Sequence, residues 1–271
     1  MPEVPVSEVR CAGPARERWS PAEHAARFAL VLVRQGRFVR RVDGRAQLAD
    51  VTTGYVQRPG EVQQVAHPAG GDVCTAVALP AEIADRFPRR PVRVTPAADL
   101  LHRRLLRVVT PALPMFPAAP MNPAAPMNPA PPVELAVELV TALLPAGHLP
   151  AAPHPVIEEV RELLHLEPAL DLTALAAAVG WSPWHLSRSF RLVTGDTLRS
   201  YRRRLRIRAA LDALDAGAGL AATAARTGFA DQAHMTRAIR AETGLPPATL
   251  RRALGRARPD PGGGSPTCEG Y

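Results

Sequence analysis

The chain has 271 residues and a formal charge of +8, and all 33 of its basic residues are arginine. That length bounds the answer to one large or two ordinary domains, each with room for a core. Cys11, Cys74 and Cys268 are too few and too scattered for a disulfide framework or a paired-cysteine metal site. The N-terminal MPEVPVSEVR lacks a basic start and an apolar signal core, and the longest apolar run, Phe28 to Val33, is about a third of a membrane span. The expectation is a cytoplasmic protein with no membrane partner.

Charge is spread rather than focused. Residues 1–110 carry 17 Arg against 11 acidic residues, 111–155 carry no Arg and 2 acidic residues, and 156–271 carry 16 Arg against 12. Net charge therefore favours a polyanionic partner only mildly, and local arrangement must carry the argument.

From Phe28 to Leu79 the chain reads as short strands: Phe28–Val33, Phe38–Val42, Gly54–Val56, Val62–Ala66 and Val73–Leu79. Gly36, Asp43-Gly44, Pro59-Gly60 and Pro68 to Gly71 punctuate them with turn chemistry. This spacing predicts a small antiparallel barrel or sandwich. His67, before a proline turn, reads as a hydrogen-bonded loop residue, and Cys74 as a small buried hydrophobe.

Two helices are predicted next, over 97–109 and 133–144, with stripes such as Leu100, Leu101, Leu105 and Val108. Between them PAAPMN occurs twice in tandem from Pro117 to Asn128, a composition suited to an extended solvated spacer. A second proline-rich break runs from Pro145 to Pro155, and the glycine-rich tail from residue 256 is expected to be disordered.

The stretch from Leu172 to Arg252 repeats itself. Leu172, Ala176 and Gly180 recur 48 residues later as Leu220, Ala224 and Gly228. After one extra turn residue, Leu186, Arg188, Phe190 and Gly195 recur 49 residues later as Met235, Arg237, Ile239 and Gly244. Each copy reads as helix, glycine-led turn, helix. In the first, Leu172, Leu175, Ala176 and Val179 make one stripe, and Ser182-Pro183 supplies an N-cap with proline at the first helical position. The second helix divides into an apolar face of Leu186, Phe190 and Val193 and an outer face of Trp184, Ser187, Arg188 and Arg191. That is the helix-turn-helix plan in duplicate. A joining helix over 197–214 puts Leu198, Tyr201, Leu205 and Leu211 inward; at about 1.5 Å per residue it spans roughly 27 Å. Its arginines, from Arg199 to Arg208, are either a solvated face or phosphate contacts.

The run Gly228-Phe229, Asp231, His234-Met235, Arg237, then Gly244, Pro247 and Arg251, resembles the signature of AraC/XylS-type transcription regulators, as do Ser182, Leu186, Arg188 and Phe190. Ile239 and Leu250 depart from the aromatic residues usual there but stay apolar. The resemblance covers roughly 156–253. It implies a double helix-turn-helix whose second helices enter successive major-groove segments about one DNA turn apart. Carried over position by position, Trp184, His185, Ser187, Arg188 and Arg191 in the first copy face DNA, with Arg188 aimed at a guanine and His185 and Arg191 at phosphates. Gln232, His234 and Arg237 do so in the second, where Ala233 departs from the usual polar residue; on the helical wheel His234, Arg237 and Arg240 lie opposite Met235 and Ile239, which adds Arg240 to the same face.

The resemblance also implies that the N-terminal strands form a cupin-like sensor barrel, matched locally by Pro59-Gly60-Glu61 and His67-Pro68. Its two following helices either pair across a dimer interface or cover the barrel. Metal-dependent cupins need several histidines, and His67 is alone between Ala25 and Leu101. No catalytic residue, metal or cofactor is expected, and the effector-binding residues are not identifiable. The expected fold is α+β with two domains: a cupin-like antiparallel barrel with two flanking helices, then an all-α double helix-turn-helix. Its parts are 1–110, an insert at 111–132, a helix at 133–144, a linker at 145–155, the DNA-binding domain at 156–255 and a tail at 256–271. The expected function is sequence-specific regulation of transcription on double-stranded DNA, with RNA polymerase, a small-molecule effector and a second copy as partners. The alternatives are a constitutive DNA-binding protein whose barrel only dimerises, and a cupin enzyme fused to a DNA-binding module.

Overall fold

The computed structural model describes residues 5–11, 19–68, 70–109, 133–144 and 153–254. The proline repeat, most of the linker and the tail lie outside them. The chain divides into two compact units, Met1–Arg208 and Ala209–Tyr271.

The first unit begins with nine strands: β1 (Val6–Cys11), β2 (Glu23–His24), β3 (Ala29–Gln35), β4 (Arg37–Val42), β5 (Arg45–Asp50), β6 (Thr53–Gln57), β7 (Val62–Ala66), β8 (Asp72–Ala78) and β9 (Val92–Arg93). They form two antiparallel sheets, ordered β1-β8-β3-β6-β9 and β2-β7-β4-β5. This corrects the expected barrel: among the described residues the ring does not close. β2 and β9 are two residues long, too short to carry a ladder onward, and the outer side of β5 meets helix side chains instead of a strand.

β3 shows why its sequence is an unbroken apolar run. Leu30 and Leu32 enter a core with Val56, Val77 and the helices that follow, while Val31 and Val33 enter a second core with Phe38, Tyr55 and Cys74 from both sheets. A strand covered on both faces has no polar positions to alternate. The β4–β5 hairpin turns on Asp43-Gly44, both at positive φ (50° and 74°), as a two-residue loop matched to strand twist requires. Gly36 joins β3 to β4, and a Cβ there would lie 2.5 Å from the Gly71 carbonyl oxygen, so no larger residue fits.

A short α1 (Ala81–Ala84) precedes α2 (Pro96–Val109) and α3 (Val133–Leu143), which pack together on the first sheet. Leu105, Ala136, Leu139 and Leu143 are their buried anchors. Then come α4 (Pro155–Leu166), α5 (Leu172–Ala178), α6 (Pro183–Thr194) and α7 (Leu198–Asp215), whose length contains the division between the units. Ile157, Val160 and Leu164 of α4, Leu175 of α5, Leu186 and Phe190 of α6 and Tyr201 of α7 share one core. The second unit continues with α8 (Leu220–Arg226), α9 (Gln232–Thr243) and α10 (Pro247–Leu254), with Leu211, Leu214, Ala224, Phe229, Met235, Ile239 and Leu250 buried. Among the described residues no helix is long and apolar enough to cross a membrane.

Candidate nucleic-acid interface

The duplication seen in the sequence recurs bond for bond. Between α5 and α6 the Trp181 N–H donates to the Ala176 carbonyl at 2.9 Å; between α8 and α9 the Phe229 N–H donates to the Ala224 carbonyl at 3.1 Å. The Ser182 hydroxyl accepts the His185 N–H at 3.2 Å, and the Asp231 carboxylate accepts the His234 N–H at 2.6 Å. Each N-cap thus satisfies a donor that the first helical turn leaves open. Both helices end on a left-handed glycine, Gly195 (φ 74°) and Gly244 (φ 75°), the conformation that closes a helix at least steric cost. Each copy even sets an aromatic ring edge-on to a histidine, Trp181 to His185 at 4.4 Å and Phe229 to His234 at 5.4 Å between centroids.

These caps fix which face of each second helix looks outward. In α6, Leu186 and Phe190 are fully buried, whereas Trp184, His185, Ser187, Arg188 and Arg191 are exposed. Trp184 is 70% exposed and so does not cap the core. The Arg188 guanidinium lies 5.5 Å from its ring centroid, a cation–π distance that holds both side chains on one outward patch. In α9, Met235, Ala238 and Ile239 are buried, and Gln232, His234, Arg237 and Arg240 are exposed. All nine sequence-predicted contact residues therefore reach solvent, five on α6 and four on α9. Neither face carries an acidic residue in the first helical turn, where it would oppose a phosphate.

The arginine run on α7 is corrected in part. Arg199 and Arg203 are exposed, but Arg204 and Arg208 are buried. Arg204 pairs with Asp196 and donates to the Thr52 and Val94 carbonyls at 2.9 and 2.6 Å. Arg208 pairs with Asp99 and donates to the Arg34 carbonyl at 2.5 Å. Arg202 donates to the Leu170 carbonyl. Arg204 and Arg208 are structural because they lie on the same stripe as Tyr201 and Leu211, and long arginine stems reach buried acceptors from there.

Sequence reasoning missed the polar hub that ties α4 and α7 to the strands within the first unit. Asp50, at the end of β5, is fully buried. Its Oδ2 meets Arg161 at 2.8 Å, His165 Nε2 at 2.9 Å and the Tyr201 hydroxyl at 2.7 Å, and its Oδ1 accepts from Thr52. Burial pushes the Asp50 carboxyl up, but Arg161, His165 and the Thr52 hydrogen bond outweigh it and hold the group well below the usual range. Burial likewise disfavours the Arg161 charge, and Asp50 and Glu158 reverse that. Beside the hub, Glu158 accepts the Leu48 N–H at 2.8 Å and Arg161 donates to the Leu48 carbonyl at 3.2 Å. Two α4 side chains thus occupy the open edge of β5, as a neighbouring strand would. Asp50 and Arg161 stand far apart in the chain, and nothing in either local sequence pairs them.

The family described as Helix-turn-helix domain matches residues 175–253. The uncharacterized HTH-type transcriptional regulator YbfI of Bacillus subtilis (strain 168) is 35% identical over 107 residues, 38% of this chain. The match covers 39% of that relative's length, so the chain spans about two-fifths of the curated relative it matches. Among solved structures, ToxT from Vibrio cholerae is similar over 93% of this chain and 99% of its own, at 7% identity and a TM-score of 0.38. The C-terminal domain of AraT, a response regulator from Geobacillus stearothermophilus, is similar over 41% of this chain and 94% of its own, at 20% identity and a TM-score of 0.37. At those scores neither structure bears on the assignment. Residues 175–253, with their two capped helix pairs, are a helix-turn-helix domain homologous to part of a transcriptional regulator.

Proposed function

We propose that the chain is a sequence-specific DNA-binding transcriptional regulator of the AraC/XylS type, reading bases through the outer faces of α6 and α9. The observation that carries this is the division of α6 into a buried side, Leu186 and Phe190, and an exposed Trp184–Arg188 patch inside a matched helix-turn-helix domain. Arg188 is the base reader: its guanidinium fork suits the two acceptors of a guanine edge, a contact worth about 1–3 kcal/mol of discrimination. His185, Arg191 and Arg240 serve phosphates, which add affinity without sequence preference.

Control by a small molecule in the N-terminal sheets belongs to the same reading. It is supported by a recess of about 440 Å³, a ligand-sized volume, lined by Arg40, Tyr55, Arg58, Glu61 and Arg89. A second copy of the chain would meet α2 and α3, where Val108 and Val137 are exposed. RNA polymerase is the proposed downstream partner. The reading is of a binding protein that performs no chemistry.

The test is to select bound fragments from a genomic DNA pool and compare wild type with Arg188→Ala on selected and on unrelated duplexes. The expected result is a loss of about 5- to 150-fold on the selected fragment, the fold-change equal to about 1–3 kcal/mol, with little change on unrelated DNA. Equal loss on both would reduce Arg188 to a phosphate contact. Failure to enrich any fragment would overturn the regulator reading.

A further inference from the structure

One cluster of ligand-type side chains has no part in DNA reading. β1 pairs with β8 so that Cys11 stands opposite Asp72 and Val9 opposite Cys74. Side chains two apart on a strand share a face, so Cys11, Asp72 and Cys74 point to the same side. β7 ends just before His67, whose ring sits against Phe38 with centroids 5.8 Å apart. The ligand atoms of Cys11, His67 and Asp72 all lie within 4.8 Å of one another. His67 and Asp72 are only 5% and 7% exposed.

The Asp72 carboxylate is divided between two tasks. Its Oδ2 accepts the Cys74 thiol at 2.8 Å. Its buried Oδ1 accepts no hydrogen bond, although His67 Nε2 is 2.7 Å away. The two atoms stand at ion-pair distance yet share no aligned hydrogen bond, and the Cys11 sulfur lies within 4.8 Å of both. Donors bound to one zinc ion at about 2.0–2.3 Å lie roughly 3.3–3.8 Å apart in tetrahedral geometry, so the three atoms need shift by only about 1 Å.

We propose that Cys11, His67 and Asp72 form a binding site for one divalent cation of borderline softness, with Zn²⁺ the best match. A thiolate, an imidazole and a carboxylate together favour zinc over magnesium or calcium, which prefer all-oxygen shells. The fourth coordination position belongs to water. Cys74 is a positioning residue: its thiol fixes the rotation of Asp72 from behind, the usual task of an outer-shell hydrogen bond. A bound ion fastens the end of β1 to the β7–β8 turn. Sequence spacing hides this set because strand pairing, not a short motif, assembles it. It stands independently of the DNA-binding reading.

The experiment uses the full chain, purified reduced, loaded with Co²⁺ or Zn²⁺ and desalted. Wild type is expected to retain one metal per chain and, with Co²⁺, to show a thiolate-to-cobalt charge-transfer band with tetrahedral d–d absorption. Cys11→Ser should lose that band and His67→Gln should weaken metal retention at least tenfold, while Cys268→Ser changes neither. Circular dichroism of the metal-free variants checks that each is folded, and Cys11, at a partly exposed strand end, is the more tolerant position. The proposal is overturned if wild type retains no stoichiometric metal, or if both folded variants keep the metal and the band.

Discussion

Replacing Asp50 by asparagine keeps the size of the side chain but removes the one charge that faces three elements at once. Arg161 is 3% exposed and would keep its positive charge without its nearest fully buried counter-ion. Removing one partner of a buried pair costs about 3–5 kcal/mol, because the remaining charge is still out of water. Glu158 stays 2.6 Å from Arg161 and compensates in part, which places the cost near the lower end, about 3 kcal/mol. For a unit of this size each kcal/mol lowers Tm by roughly 2–4 °C, so Asp50→Asn should melt about 6–12 °C below wild type. A thermal scan at pH 7 in low and high salt is the assay. The drop should survive salt, since buried charges are poorly screened, while Glu8→Gln, which breaks an exposed pair with Arg10, should move Tm by less than about 2 °C. Asp50→Asn combined with Arg161→Met should recover stability relative to the single variant. The Asp50 carboxyl is depressed in the folded state, so its stabilisation is present above the unfolded value near 3.8 and is lost as pH falls toward the folded one. Acid should therefore erase the difference between wild type and Asp50→Asn. A single variant within 2 °C of wild type, or a double variant no better than the single, would refute this account of the hub.

Two further outcomes are expected. His102 is fully buried, its Nε2 2.8 Å from the Thr75 hydroxyl, and burial with Arg34 and Arg103 nearby lowers its pKa from 6.5 to about 3. The unfolded chain takes up that proton first, so stability falls by about 1.4 kcal/mol per pH unit between roughly 6.5 and 3. Urea midpoints at pH 7, 5.5 and 4.5 should show this slope in wild type and a flatter one in His102→Gln, and an unchanged slope would contradict it. Ser182→Ala and Asp231→Ala should each cost about 1 kcal/mol, read as a lower denaturation midpoint, since each removes the cap of a second helix; an unshifted midpoint would deny the cap its role.

The helix-turn-helix region was legible because its signals are local. Ser182-Pro183, Gly195 and the Leu186/Phe190 stripe each act within a turn or two, and the second copy repeats them. The strands were legible where both faces are buried, as in β3, or where a turn such as Asp43-Gly44 is explicit. β5 was missed because RAQLAD offers no apolar run: its outer edge is satisfied by Glu158 and Arg161, and its end carries the buried Asp50. Arg204 and Arg208 were only half legible. Their spacing from Tyr201 places them on the inner stripe, but charge suggested solvent, and the carboxylates that hold them, Asp196 and Asp99, show no sequence pattern linking them to α7. Cys11 and Asp72 were opaque for the same reason, since only the β1–β8 register makes them neighbours.

The way α4 occupies the margin of β5 has a cost when the helix lets go. Detaching Glu158 and Arg161 would leave the Leu48 amide and carbonyl facing outward on a ribbon that already pairs on its other side. Backbone in that state recruits the same segment of another molecule, so partial opening and clumping would begin as a single event. A chain weakened at this seam should therefore be lost from solution in a concentration-dependent way before its helices melt.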